Sequence, residues 1–283
     1  MHSKNYVNVT ISVLEEDYEI AYGILTSFEF LGMEEKLDEI VLSFEEKNWN
    51  DDVKNDLESK FNKFLPKAKV DKIEIISEKN WNKEWEKNVP AVQISENIGI
   101  APEWKANDLH TKLKILINPK MSFGTGQHST TKLMITMLEK VVKSGQTWID
   151  AGTGTGILAI VIAKLGAKKV YAFDNDDWAY DNAIENVELN NVKEIVEVQK
   201  AEIESYQFPK VDCISANMFL NLLDISFPKF YTALKDGLGI LLVSGILAFD
   251  REELLRNATQ NGFILKNEVQ EMEWYCFEFE AKK

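Results

Sequence analysis

The residues with the most chemical content stand together at Trp148-Ile149-Asp150-Ala151-Gly152-Thr153-Gly154-Thr155-Gly156-Ile157: a strand-like run, three glycines at alternate positions, then a helical pattern. Glycines at such a turn let the backbone bend sharply and let a ligand approach the main chain closely. A dinucleotide fingerprint, G-x-G-x-x-G starting at Gly152, requires glycine or alanine at position 157, which is Ile157. Asp174 ends the next strand-like run, 22 residues after Gly152, where a carboxylate accepts hydrogen bonds from both hydroxyls of a ribose. Strand, glycines, helix, strand and terminal acid in register predict a nucleoside site at Gly152, Gly154 and Asp174. The acid identifies the ribose and leaves the reaction open.

Two further groups belong to the same chemistry. Phe123-Gly124-Thr125-Gly126-Gln127-His128-Ser129-Thr130-Thr131 precedes a helix expected from about Thr130 to Val142, and its position before the glycine loop predicts a lid with Phe123 over the nucleoside. Asn217 ends the fourth of the strand-like runs described below. Its side-chain carbonyl is an acceptor at the carboxyl edge of the sheet, where open α/β folds bind ligands. His128 is read as a local hydrogen-bonding residue. His2, His110 and His128 are the only histidines, and no Cys-x-x-Cys or His-x-x-x-His spacing occurs, so no protein metal site is expected. Cys213 and Cys276 lie in apolar runs and are read as buried strand residues.

Regular alternation of strand and helix positions these groups. Strands are predicted at Thr147 to Ala151, Lys169 to Phe173, Ile195 to Gln199, Val211 to Ala216 and Gly239 to Ser244. Helices fall between them near Ile157 to Leu165, Asp177 to Asn190 and Leu220 to Leu234, with another from Asp250 to Asn261. This predicts an α/β fold with a doubly wound, mostly parallel sheet, finished by an antiparallel hairpin of Phe263 to Val269 and Trp274 to Glu280. Before it, Tyr6 to Leu14, Leu37 to Phe44 and Val70 to Ile76 alternate as strands. Helices are expected over Glu15 to Leu31, stopped by Gly32, and from an Asn50 or Asp51 cap to Leu65, stopped by Pro66. Lys79 to Asn118 loses periodicity and reads as a connector in which Trp81 and Trp85 would share a helical face.

The chain has 283 residues, 45% hydrophobic and 28% charged, an ordinary globular composition with room for two domains. No apolar run approaches the roughly 20 residues that span a bilayer, and the N-terminus lacks the order of a signal peptide, so a cytoplasmic location is expected. The formal charge of −14 repels nucleic acid, and only Arg251 and Arg256 supply guanidinium groups, so no sequence-specific nucleic-acid binding is expected. Residues 1–90 carry −8 of that charge, which reads as a solvated acidic surface or as a dock for a basic protein.

The glycine loop, in its D-x-G-x-G-x-G form, resembles that of the class I S-adenosylmethionine-dependent methyltransferases. The stretch from Phe123 to Thr131 resembles the F-G-T-G-x-H-P-T-T motif of the PrmA family, which methylates the large-subunit ribosomal protein eleven. Leu158 to Ala167, Asn217, Leu242 to Leu247, Trp85, Pro90, Pro102 and Trp104 follow in family order, so the resemblance covers essentially the whole chain. It implies a Rossmann-like methyltransferase domain at 119–283, a linker at 79–118 and an α+β substrate-recognition domain at 1–78. The implied cofactor is S-adenosyl-L-methionine, contacted by Thr131, Gly152, Asp174 and Asn217. The implied partner is a basic protein of the large ribosomal subunit, free or on the ribosome, with no membrane. The implied reaction is N-methylation of lysine side chains or an α-amine, with Asn217 as the residue that aims the amine. Ser129 replaces the family's usual proline, and Met218-Phe219-Leu220 is bulkier than the usual sequence after the asparagine. The alternatives are methylation of another protein or of nucleic acid, and a nicotinamide-dependent oxidoreductase. Nucleic-base methyltransferases commonly carry two prolines after that asparagine or aspartate, and here there are none.

Overall fold

A computed structural model describes residues 5–77, 89–120, 122–234 and 239–282. The expectation for Trp81 and Trp85 lies outside the described residues. The chain divides into two compact units, Met1–Trp81 and Asn82–Lys283.

The smaller unit is a four-stranded antiparallel sheet backed by two helices. Its elements are β1 (Asn5–Ser12), α1 (Tyr18–Leu25), β2 (Gly32–Lys36), β3 (Glu39–Glu45), α2 (Asp51–Phe64) and β4 (Lys69–Ser77), with sheet order β2-β3-β1-β4. Alternate residues Val7, Val9 and Ile11 of β1 meet Ile40, Leu42 and Phe44 of β3 in a core closed by Ala21, Leu25, Leu57 and Phe61. The Asn50 side chain accepts from Val53 N (3.0 Å), so the expected cap of α2 is made. The first helix is shorter than its pattern predicts. It ends at Leu25 because the Thr26 and Ser27 hydroxyls donate to the carbonyls of Gly23 and Ile24 (both 2.7 Å), engaging the acceptors at the helix end. The chain then enters β2, a strand with no apolar alternation because all five residues are exposed.

The larger unit opens with β5 (Val92–Gln93), β6 (Ile98–Ala101) and β7 (Leu113–Leu116), a three-stranded sheet in the region read as a connector. Ile98, Ile100, Ile115 and Ile117 are buried in the core of the larger unit, so this stretch is part of that unit's structure. Then follow α3 (Ser129–Val141), β8 (Thr147–Ala151), α4 (Ile157–Lys164), β9 (Lys169–Asp174), α5 (Asp177–Leu189), β10 (Val196–Lys200), β11 (Cys213–Asn217), α6 (Leu220–Ala233), β12 (Ile240–Leu247), α7 (Arg251–Gln260), β13 (Phe263–Glu271) and β14 (Trp274–Ala281). The sheet order is β10-β9-β8-β11-β12-β14-β13, with the first five strands parallel and β14 antiparallel to both of its neighbours. Strand residues alternate between two cores. Trp148, Val170 and Ala172 face α3 and α4, while Ile149, Ala151, Ile214 and Ala216 face α6 and α7. The order reverses between β8 and β11, which opens a crevice at their carboxyl ends.

Three asparagines one helical turn apart on α5 and just beyond it join that helix to the segment leading toward the crevice. Asn190 Nδ2 donates to Leu116 O (2.6 Å) and its Oδ1 accepts from Leu116 N (3.0 Å). Asn186 Oδ1 accepts from Asn118 N (2.9 Å), and its Nδ2 donates to Thr155 O (2.9 Å) in the glycine loop. Asn182 Nδ2 donates to Asn118 O (3.1 Å). All three are buried, and unpaired backbone polar groups in such a place would be costly.

Candidate active site

The glycine loop leaves β8 with Gly152 and Gly154 in the left-handed region (φ +67° and +55°), as the close approach requires. A Cβ on Gly154 would lie 2.4 Å from Phe123 O, so a side chain there would push the two loops apart. Thr155 clamps the same contact: its N–H donates to Phe123 O (3.0 Å) and its hydroxyl to Gly124 O (2.6 Å). The stretch that precedes α3 is therefore fastened to the glycine loop. From the end of β9, Asp174 Oδ2 accepts from Gly154 N (2.8 Å) and Oδ1 from Asp176 N (3.1 Å). Each carboxylate oxygen keeps acceptor capacity for a further donor.

Beneath this loop Asp150 is fully buried and accepts from the Thr153 hydroxyl (2.6 Å) and the Ser215 hydroxyl (2.7 Å). Burial pushes its carboxyl up to about 6, against the lowering effect of those two bonds. One carboxylate thus couples the glycine loop to β11, the strand that ends in Asn217.

At the start of α3, His128 caps the helix with Nδ1 accepting from Thr130 N (3.3 Å), and the Thr130 hydroxyl lies 2.9 Å from the same nitrogen. The imidazole stands edge-on between the Phe123 and Trp274 rings, with centroids 5.4 Å and 5.0 Å away. Asn217 Nδ2 donates to Thr130 Oγ1 (3.2 Å), leaving Oδ1 as the amide's acceptor. Thr131 Oγ1 is buried and has no hydrogen-bond partner.

These groups line one cavity of about 410 Å³: Phe123, Thr131, Gly152, Gly154, Asp174 and Asn217, all six residues singled out from sequence. Other lining residues were given no role from sequence, among them Thr130 and Gly245, which lie within stretches noted there, and Trp274. Trp274 begins β14 and reaches the site only because that strand inserts beside β12, a pairing without local signal; Thr130 reads as an ordinary helix-start residue. Cys213 and Cys276 are buried, and burial pushes the Cys276 thiol well above its usual range, unlike a nucleophile. Among the described residues no group of three or more His, Cys, Asp or Glu is placed to hold a metal ion, and no helix is long and apolar enough to cross a membrane.

Comparison with known proteins identifies the family. The family model described as ribosomal protein L11 methyltransferase (PrmA) matches residues 9–282. A curated ribosomal protein L11 methyltransferase of Chlorobaculum parvum is 32% identical over 285 residues, covering 98% of this chain and 97% of that protein. Its counterpart in Lactococcus lactis subsp. cremoris is 34% identical over 206 residues, 72% of this chain, and the match spans 65% of that relative's length. The crystal structure of ribosomal protein L11 methylase from Lactobacillus delbrueckii subsp. bulgaricus superposes with a TM-score of 0.64 at 29% identity, covering 68% of this chain and 99% of that one. The larger unit has the class I methyltransferase fold, and the chain belongs to the ribosomal protein L11 methyltransferase (PrmA) family.

Proposed function

We propose that the chain is an S-adenosyl-L-methionine-dependent protein methyltransferase acting in the cytoplasm on lysine side chains, or the α-amine, of ribosomal protein L11. The observation that carries this reading is the convergence on one cavity of a ribose-type acid, Asp174, and an amide acceptor, Asn217. The residues present suit the cofactor. Gly152 carries no side chain and its backbone is exposed beside the Met218 side chain, Asp174 retains acceptor capacity for ribose hydroxyls, and the buried Thr131 hydroxyl lacks a protein partner. When bound, the cofactor supplies a methyl group already activated on a sulfonium, so the protein need provide no covalent nucleophile.

What the protein must supply is a neutral, aimed amine. A lysine with pKa of about 10.4 is almost wholly protonated at neutral pH. Desolvation in the cavity lined by Phe123, Met218, Phe219 and Trp274 favours proton loss. The Asn217 Oδ1 then accepts an N–H from the amine and orients its lone pair. A neutral amide acceptor leaves the amine able to rotate between successive methylations, unlike an ion pair. The acidic smaller unit suits recognition of a basic ribosomal protein, free or assembled. The same charge disfavours direct nucleic-acid binding.

The direct test is mass spectrometry of purified L11 after incubation with enzyme and cofactor. Added methyl masses are expected, and an unmodified substrate in the presence of calorimetrically confirmed S-adenosylhomocysteine binding would reject L11 as the acceptor. Asn217→Ala is expected to lower the single-turnover rate by about a hundred- to a thousand-fold, the scale for one preorganised group, while S-adenosylhomocysteine affinity changes less. Equal losses in rate and affinity would make Asn217 a cofactor ligand alone.

A further inference from the structure

The amide of Asn217 has two chemically opposite ends, and only one serves the proposed reaction. Turned one way it offers a carbonyl oxygen to an incoming amine; turned the other it offers N–H groups, which repel an amine's protons and occupy its lone pair. The side chain therefore needs a device that fixes its polarity. Its contact to α3 supplies one. His128 Nδ1 accepts the backbone N–H of Thr130 (3.3 Å), so that nitrogen carries no proton and the neighbouring Thr130 hydroxyl at 2.9 Å is the donor toward it. With its proton directed to His128, Thr130 Oγ1 can only accept, and the group it accepts from is Asn217 Nδ2 at 3.2 Å. The order of donors runs one way, from Asn217 to Thr130 to His128.

We propose that Thr130 is a positioning residue that sets the polarity of the Asn217 amide, with His128 as the acceptor that fixes the direction of the Thr130 hydroxyl. The proposal rests on the reading that Asn217 Oδ1 receives the acceptor amine. It assigns work to two side chains that need not touch the reacting atoms. Thr130 is nearly fully buried, which shields its hydroxyl from bulk solvent. His128 is held between Phe123 and Trp274, so the ring that terminates the chain keeps its orientation. The Thr130 hydroxyl without His128 would be free to donate instead, and the amide could present either end.

The test compares single-turnover methyl transfer to L11 with S-adenosylhomocysteine affinity in Thr130→Val, Thr130→Ser, His128→Phe and Asn217→Ala. Valine keeps the shape of threonine without its hydroxyl, and phenylalanine keeps the aromatic wedge without Nδ1. Thr130→Val is expected to lose roughly tenfold or more in rate, the worth of one buried hydrogen bond, with affinity held within about threefold. Serine should restore the rate to within about threefold of wild type, because only the hydroxyl is required. His128→Phe should also slow transfer. A wild-type rate in either Thr130→Val or His128→Phe, while Asn217→Ala is strongly impaired, would overturn the polarity role and leave Asn217 in place. Near-normal turnover by Asn217→Ala would overturn the underlying reading and the proposal with it. A Thr130→Ser variant as slow as Thr130→Val would show that packing, not the hydroxyl, is what matters and would also overturn it.

Discussion

Among the described residues every side chain buried in the smaller unit's core is hydrophobic, from Val7 to Ala68, whereas all the buried polar groups lie in the larger unit. Most of them fall in two places there. One is the carboxyl edge of the sheet, with Thr130, Thr131, Asp150, Thr153, Thr155 and Ser215; the other is the α5 face of Asn182, Asn186 and Asn190. Polar burial costs free energy unless each group is paired, so a fold accepts it where a particular geometry must be held. The smaller unit needs only a shape and a charged surface, and apolar packing suffices. The larger unit must hold loops in register, and it does so with directional bonds.

This contrast has measurable consequences, of which the largest is expected in the smaller unit. Leu57→Ala removes a fully buried side chain from a purely apolar core and should cost about 2 to 5 kcal/mol there, followed by hydrogen exchange of β1 amides during denaturation. Unchanged S-adenosylhomocysteine affinity is expected, and a large loss would show that the smaller unit's packing governs the site.

Asp150 gives the next effect. Its carboxyl is raised to about 6 by burial, so between the unfolded value near 4 and the folded value the native unit holds a proton that the unfolded chain has lost. Raising the pH across that window therefore weakens the larger unit, by about 3 kcal/mol for a shift of roughly two units. Asp150→Asn should remove this contribution, seen as a flatter dependence of the denaturation midpoint between about pH 4 and 6. Parallel wild-type and variant curves would mean that the Asp150 proton is not coupled to folding.

Asp174→Ala should weaken S-adenosylhomocysteine binding by about 1.5 to 3 kcal/mol by calorimetry, since it removes a charged acceptor at a strand end that also holds the Gly154 N–H. Retained affinity in a folded variant would take Asp174 out of the ligand site. The smallest effect belongs to Asn50→Ala, which deletes the α2 cap and should cost about 1 kcal/mol of the smaller unit's stability in urea denaturation, with no effect on turnover. A turnover loss there would tie an apparently structural cap to catalysis.

Thr147 to Ala151 and Ile157 to Ala163 were legible as short, largely apolar runs bounded by turn residues, because both are buried almost throughout. The glycine loop and Asp174 were legible for a different reason, since their spacing reflects one strand-helix-strand unit. β5, β6 and β7 were hidden because they are two to four residues long, too short for a period, and the burial of all four β6 residues removes alternation altogether. β2 was hidden by the opposite circumstance, an edge strand with every residue in solvent. Trp274 and the Thr130 link depend on contacts between segments far apart in the chain, which no local pattern encodes. The spacing of four residues between the asparagines of α5 is plain in the sequence, but no local pattern shows what their amides bond.

Those three asparagines also settle how the small sheet of β5, β6 and β7 ends. Among the described residues β7 has only β6 as a strand neighbour, and the N–H and C=O groups of Leu116 and Asn118 point away from it. Four residues of helix rise roughly 6 Å and two residues of strand roughly 6.6 Å, so side chains one turn apart on a helix keep step with alternate residues of a strand. Three amides thus stand in for a strand at Leu116 and Asn118, bonding all four backbone groups that these two residues turn outward. An open edge of this kind is a template for pairing with another chain, and at Leu116 and Asn118 it is closed to that use. Replacing the asparagines would therefore expose an adhesive border as well as loosen a helix, so solubility at high protein concentration becomes a property of α5.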